Sequence, residues 1–188
     1  MSDKYKAIDN SRAHFVTITV ISWIDLFTRN SLRRVVTDSL QYCRDKKGLE
    51  VNAWCLMPSH LHMICKASEE QKLSDIIRDF KTHTSKKIVE TIINKPESRR
   101  EWLLEAFQKA CEHLKRDQKY KVWQNGYHAE EIRSNSFLES KFDYIHQNPV
   151  NDGIVEFAED YIYSSARNYA DRDSILEIDL ISRQWKTI

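Results

Sequence analysis

The apolar positions of this chain fall into segments of two different periods. His14 to Ile21 (HFVTITVI) is apolar and β-branched without helical spacing, which predicts a strand buried on both faces or nearly so. Asn30 or Ser31 can cap a helix in which Leu32, Val35, Val36, Leu40 and Cys43 keep the 3.6-residue period, and Lys46, Lys47 and Gly48 close it with the cations and glycine suited to a C-terminus. Leu49 to Leu56 and Leu61 to Lys66 read as a hairpin across Met57-Pro58-Ser59, whose proline suits a turn. Leu73, Ile76, Ile77, Phe80, Thr84, Ile88 and Ile92 then step by three or four, with Arg78, Lys81, Lys86 and Lys87 off the stripe, which predicts a long amphipathic helix.

A further helical pattern after Pro96 (Leu103, Phe107, Ala110, Cys111, Leu114) looks like an insertion of about residues 96–119. Tyr120 to Trp123 and Tyr127 to Ile132 flank Asn125-Gly126, a dipeptide suited to a tight turn, so one or two strands are expected there. Ser134 or Asn135 caps a last helix from Ser136 to about Asn148, where Pro149 is expected to close it. The order strand, helix, strand, strand, helix, strand, helix predicts an α+β, ferredoxin-like (RRM-like) antiparallel sheet with helices on one face and a C-terminal helix after it. We expect one domain over residues 1–188, with a core of about 12–170 and a mixed tail of about 171–188.

Composition narrows the chemistry. With three glycines in 188 residues, Gly48, Gly126 and Gly153, neither a P-loop nor a dinucleotide fingerprint can be built, so no nucleotide cofactor is expected. The four cysteines form no CxxC pair, which leaves buried reduced thiols. Met1 to Asn10 is polar, and no run of about 18 apolar residues occurs anywhere, so no membrane association and a cytoplasmic location are expected.

Two groupings can carry chemistry. His60 and His62 are two apart in a predicted strand and therefore project from one face, about 6.6 Å apart along the chain. Two imidazoles so placed can share a metal with positions left open for a substrate oxygen, or they can be ordinary hydrogen-bonded edge histidines. Tyr144 and Asn148 are four apart on the last helix and share a face, which Lys141 joins, while Leu138, Phe142 and Ile145 mark the apolar side. Spacing does not distinguish a nucleophilic tyrosine from an amphipathic filler, and a phenol attacks a phosphate poorly unless the developing charge is stabilised.

Four ordered stretches carry a resemblance. Trp54-Cys-Leu-Met-Pro-Ser-His-Leu-His62, Phe80-Lys-Thr-His-Thr-Ser-Lys-Lys87, Tyr144-Ile-His-Gln-Asn-Pro-Val-Asn-Asp-Gly153 and Tyr163-Ser-Ser-Ala-Arg-Asn-Tyr169 are similar to the signatures of REP-associated tyrosine transposases. These are single-tyrosine HUH enzymes related to the single-strand insertion-sequence transposases. The resemblance implies a DNA nicking and rejoining enzyme that acts on single-stranded or hairpin DNA through a 5′-phosphotyrosine. By the same resemblance, His60 and His62 bind Mg or Mn, Asn148 is the third ligand with Gln147 as second choice, and Tyr144 is the nucleophile. Ser59 and Ala129 depart from the family, in which asparagine and proline are common at those places. His83 and His128 are not assigned to the metal. The family includes monomers and homodimers, and a nucleoid association while DNA is bound would follow.

The charge count of 29 Lys and Arg against 28 Asp and Glu, net +1, excludes a uniformly cationic coat. It conceals a division, because residues 77–121 carry 12 basic against 7 acidic side chains and residues 134–188 carry 5 against 10. Arg78, Lys81, Lys86 and Lys87 are thus candidates for tracking a DNA backbone, with Lys141 beside the tyrosine, and Trp123, Tyr127 and His128 are candidates for stacking on unpaired bases. A solvated charged face is the plainer account of the same stripe. A binding module that keeps the fold and holds DNA or RNA hairpins without cutting is the alternative function.

Overall fold

The computed structural model describes residues 12–112 and 118–181. Its strands are β1 (His14–Thr19), β2 (Leu49–Leu56), β3 (His60–Ala67) and β4 (His128–Glu131). Its helices are α1 (Asn30–Lys47), α2 (Leu73–Asn94), α3 (Arg100–Lys109), α4 (Asn135–Asn151) and the short α5 (Ala166–Tyr169). The strands form one sheet in the order β2-β3-β1-β4, and every neighbouring pair is antiparallel. This is the expected split βαβ arrangement, in which β3 lies between β1 and β2. Leu114 of the expected insertion helix lies outside the described residues; α3 covers Leu103 and Phe107 of that pattern and ends at Lys109, with Ala110 and Cys111 in the turn after it.

Strand alternation divides the sheet into two faces. Val16, Ile18, Leu61, Met63 and Cys65 lie on one and are fully buried, with α1 and α2 packed side by side over the sheet. Phe15, Thr17, His60 and His62 lie on the other, where the Phe15 and His62 rings meet Tyr144 of α4. All four cysteines are buried and unpaired as thiols. Burial pushes the Cys43 thiol up to about 11 and the Cys65 thiol up to about 12, which suppresses the reactive thiolate.

Three boundaries differ from the sequence expectations. β1 ends at Thr19, and Ile21–Trp23 forms a single 3₁₀ turn instead of continuing the strand. Tyr120 to Trp123 is not a strand: it makes one bridge, Val20 to Trp123, while β4 pairs with the other end of β1. The two segments flanking Asn125-Gly126 therefore line up along β1 and do not pair with each other. The turn is held by Lys81, whose ammonium donates to the carbonyls of Gln124 (2.8 Å) and Gly126. Finally, α4 does not stop before Pro149 but runs on to Asn151, because the buried proline occupies the last turn, where few backbone bonds remain to lose. The Pro149 carbonyl accepts from Ile154 N at 2.8 Å, which caps the end.

The region after α4 has a specific role. Tyr163 to Ser165 runs antiparallel along β2: Leu56 N donates to Tyr163 O and Ser165 N to Trp54 O, each at 2.9 Å, around a Cys55–Ser164 bridge. Ser165 Oγ accepts from Trp54 N at 2.8 Å and is bonded to His146 Nε2 of α4 at 2.8 Å. One buried hydroxyl thus ties the edge of the sheet to the last helix. Farther along, Asn52, the extra residue of a β-bulge in β2, donates to Asp179 O at 2.9 Å.

Ser165→Ala is expected to orphan these buried groups and lower stability by about 1–3 kcal/mol, read as a lower urea midpoint with an unchanged slope. Gly48 closes α1 at φ +69°, and a Cβ there would lie 2.3 Å from Ser68 Oγ. Gly48→Ala is therefore expected to cost about 1–2 kcal/mol from the left-handed backbone alone, before the clash is relieved, in the same unfolding measurement.

Candidate active site

The β1–β3 register sets the site. Thr17 is paired with His62 and Thr19 with His60, so both imidazoles emerge on the α4 face. Thr17 Oγ1 is hydrogen-bonded to His62 Nδ1 at 2.8 Å, and Ser59 Oγ to His60 Nδ1 at 3.0 Å. In each ring Nε2 is thereby left to act outward, which is how an outer hydroxyl orients a metal-binding histidine. The His62 Nε2 is buried with no hydrogen-bond partner, in a side chain only 4% exposed. Burial, then the neighbouring His60 and Lys141, pushes the His62 imidazole down to about 3, so it is neutral and able to donate its lone pair at pH 7. His60 is also shifted down, first by burial, with Asp152 and Asp25 opposing.

The last helix delivers the tyrosine. Ser134 caps α4 by accepting from Phe137 N at 3.2 Å. Phe142, Ile145, His146 and Pro149 are buried, and Phe142 meets His146 and Tyr169 edge-on at 4.3 and 4.6 Å. With that side fixed, Tyr144 stands on the sheet with 47% of its surface exposed, its ring 5.1 Å from that of His62 and 5.9 Å from that of Phe15. The two histidine rings are 4.5 Å apart. A single chain therefore assembles Tyr144, His62 and His60 without help from a second copy.

Asn148 carries a buried Nδ2 with no partner, whereas Gln147 is exposed, which favours Asn148 as the residue turned inward. A half-turn of its amide presents the oxygen instead. Two imidazoles with unengaged Nε2 atoms are donors of the type a divalent ion accepts, with several positions left open, and the Asn148 amide is the candidate third donor. Among the described residues no group of three or more His, Cys, Asp and Glu side chains gathers to hold a metal. The fit rests on the orphaned His62 and Asn148 atoms.

The remaining candidates divide into two groups. Lys141 lies near the tyrosine, with its ammonium 4.4 Å from the Phe15 ring centre and 3.1 Å from Glu130, which also binds His128 at 2.5 Å. Arg78, Lys81, Lys86, Trp123 and Tyr127 line a separate groove of about 890 Å³ between α2 and residues 118–127, to which Lys119 and Lys121 add charge. Two of these have other duties. Trp123 is 3% exposed and its indole donates to Thr84 Oγ1 at 2.9 Å, so its face is closed to a base. Lys81 is turned inward onto the turn carbonyls, and burial pushes its ammonium down to about 8. Arg78 is paired with Asp75 and Asp79, and Lys87 with Glu90; all five side chains are exposed or nearly so. His83 is exposed on α2, away from the groove lining.

Sequence reasoning did not find Thr17, because nothing in HFVTITVI marks which threonine faces a histidine 45 residues later. It also placed no role on His146 and Ser165, although both lie within the quoted motifs. Trp23 was missed as well. It is 59% exposed, and its ring meets His60 edge-on at 5.4 Å.

Comparison with known proteins bears on the fold and on the family. The structure of a REP-associated tyrosine transposase bound to a REP hairpin superposes with a TM-score of 0.60 at 23% identity, covering 100% of this chain and 99% of that one. That likeness establishes the shared fold. A Haemophilus influenzae protein named "Putative REP-associated tyrosine transposase" is 28% identical over 121 residues, which are 62% of this chain and 58% of that protein's length. No helix among the described residues is long and apolar enough to cross a membrane. The family model for IS200-like transposases matches residues 7–148, well over half of the chain and inclusive of both histidines, Tyr144 and Asn148, and the chain belongs to that family.

Proposed function

We propose that this protein is a metal-dependent single-stranded DNA endonuclease and strand transferase that acts at or near hairpin-forming palindromes. The observation that carries the reading is the phenol of Tyr144 beside His62, whose Nε2 is buried, uncharged and without a partner. A divalent ion, Mg or Mn, held by His60, His62 and Asn148 would supply Lewis-acid polarisation of the scissile phosphodiester. Thr17 and Ser59, bonded to the Nδ1 atoms, hold the two imidazoles with Nε2 facing away from the hydroxyls. Tyr144 Oη attacks phosphorus, the P–O3′ bond breaks, and the phenolic proton is passed through solvent to the departing 3′ oxygen. The products are a 5′-phosphotyrosyl ester and a free 3′ hydroxyl. Attack of a second 3′ hydroxyl on the ester restores the phenol and joins strands, so bond energy is conserved and no nucleotide is consumed.

The groove between α2 and residues 118–127 suits a DNA backbone, through Lys86, Lys119 and Lys121 on its walls. Tyr127 remains a candidate for base contact, as does His128 through its position on β4. Lys141 is placed to meet phosphate near the tyrosine. Completion of the site within one chain supports a catalytically competent monomer.

Purified protein mixed with hairpin-bearing single strands and Mn is expected to give a denaturation-resistant protein–DNA band, and Tyr144→Phe to reduce it by roughly 10³-fold or more. An unchanged band with Tyr144→Phe assigns the nucleophile elsewhere, and tight hairpin binding with no band under any metal favours the non-cleaving module. Calorimetric titration with Mn in the absence of DNA reads the metal site directly: Thr17→Val is expected to weaken binding by about 10- to 100-fold, and His62→Ala by more.

A further inference from the structure

Beyond the tyrosine and the histidines, the site has a fourth aromatic that neither packing nor the chemistry above explains. Trp23 follows β1 in a turn where Ser22 and Trp23 both have positive φ, 53° and 56°. For residues with a Cβ, and above all for a bulky one, this is a strained conformation that persists only when its surroundings impose it. They do so here. Ile21 N donates to Val122 O, Trp23 N to Val20 O and Phe27 N to Pro58 O, while Arg99 holds Asp25 O at 2.7 Å. Ile21, Ile24, Leu26 and Phe27 are all buried around it. A firmly anchored loop thus spends backbone strain to hold an indole more than half in water, with His60 as its one ring contact among the described residues.

We propose that Trp23 is the stacking platform for the unpaired base of the nucleotide whose 3′ oxygen leaves, and so helps to select the cleavage position; this rests on the cleavage reading above. The direction comes from the order of the rings. Tyr144, His62, His60 and Trp23 follow one another with centroid separations of 5.1, 4.5 and 5.4 Å. In phosphoryl transfer the attacking and leaving oxygens lie roughly in line. With the phenol approaching from the Tyr144 end, the 3′ oxygen departs toward Trp23, and the base it carries comes within reach of the exposed indole. Stacking on an aromatic face tolerates any base and needs only an unpaired one, which matches a substrate that is single-stranded at the cut.

The test uses the full chain and a hairpin-bearing single strand whose cleavage position has been mapped from the wild-type adduct. An abasic site immediately 5′ of the cut is expected to slow wild-type adduct formation by about ten-fold or more, and one immediately 3′ to have little effect. Trp23→Ala should slow the intact strand by a similar factor and lose its sensitivity to the 5′ lesion, while Trp23→Phe retains part of both. Equal sensitivity to the two lesions in wild type, or an undiminished 5′ effect in Trp23→Ala, overturns the proposal. A second measurement is independent of cleavage: in a Tyr144→Phe background with Mn, short oligodeoxyadenylate should quench indole fluorescence, and Trp23→Phe should abolish that quenching. Quenching without any wild-type adduct refutes the cleavage reading and keeps the platform. An adduct without Trp23-dependent quenching refutes the platform and keeps the cleavage.

Discussion

The pairing of β1 with β3, and within it the facing of Thr17 and His62, is the constraint on which the rest of the site depends. Side chains alternate across a strand, so a slip of one residue would send both histidines into the buried face and bring Leu61 and Met63 to the surface. The apolar content of the opposite face, Val16, Ile18, Leu61, Met63 and Cys65, makes such a slip prohibitive. Packing on one side of the sheet therefore fixes the chemistry on the other. The threonine hydroxyl that orients His62 is delivered by the same register, so the imidazole and its support arrive together.

A second constraint orients the helix over that face. The position of Tyr144 is inherited from neighbours two residues to either side, on the opposite face of α4, where His146 meets Ser165 and Phe142 meets Tyr169. Residues 163–169 thus act as a brace behind α4. This gives a physical reason for the two C-terminal motifs to occur together: one carries Tyr144, the proposed nucleophile, and the other holds the helix that carries it.

Much of this was legible in the sequence. The 3.6-residue stripes from Leu32 to Cys43 and from Leu73 to Ile92 gave α1 and α2 because their apolar positions are unbroken, and the hairpin around Pro58 was plain from its flanks. Placement of His60, His62 and Tyr144 near one another followed from spacing joined to family resemblance, not from spacing alone. What was not legible is nonlocal. Trp123 looks like an exposed base-stacking residue until Thr84 is found beneath it, and Lys81 looks like a phosphate contact until the turn carbonyls are seen around its ammonium. Pro149 read as a terminator because the rule for the preceding residue ignores how little of the helix remained to be broken.

The strip from Tyr163 to Ser165 has a consequence for association. It occupies much of the outer edge of β2, and the tail near Asp179 adds a contact at Val51, so the long edge of the sheet offers little unpaired backbone. At the opposite edge β4 has only four residues and carries Glu130 and Glu131, a short and charged border. Sheets closed in these two ways resist strand-to-strand addition. Among the described residues, neither edge offers a long apolar strand for a second copy to extend, so the order of strands that positions the histidines is complete within one chain.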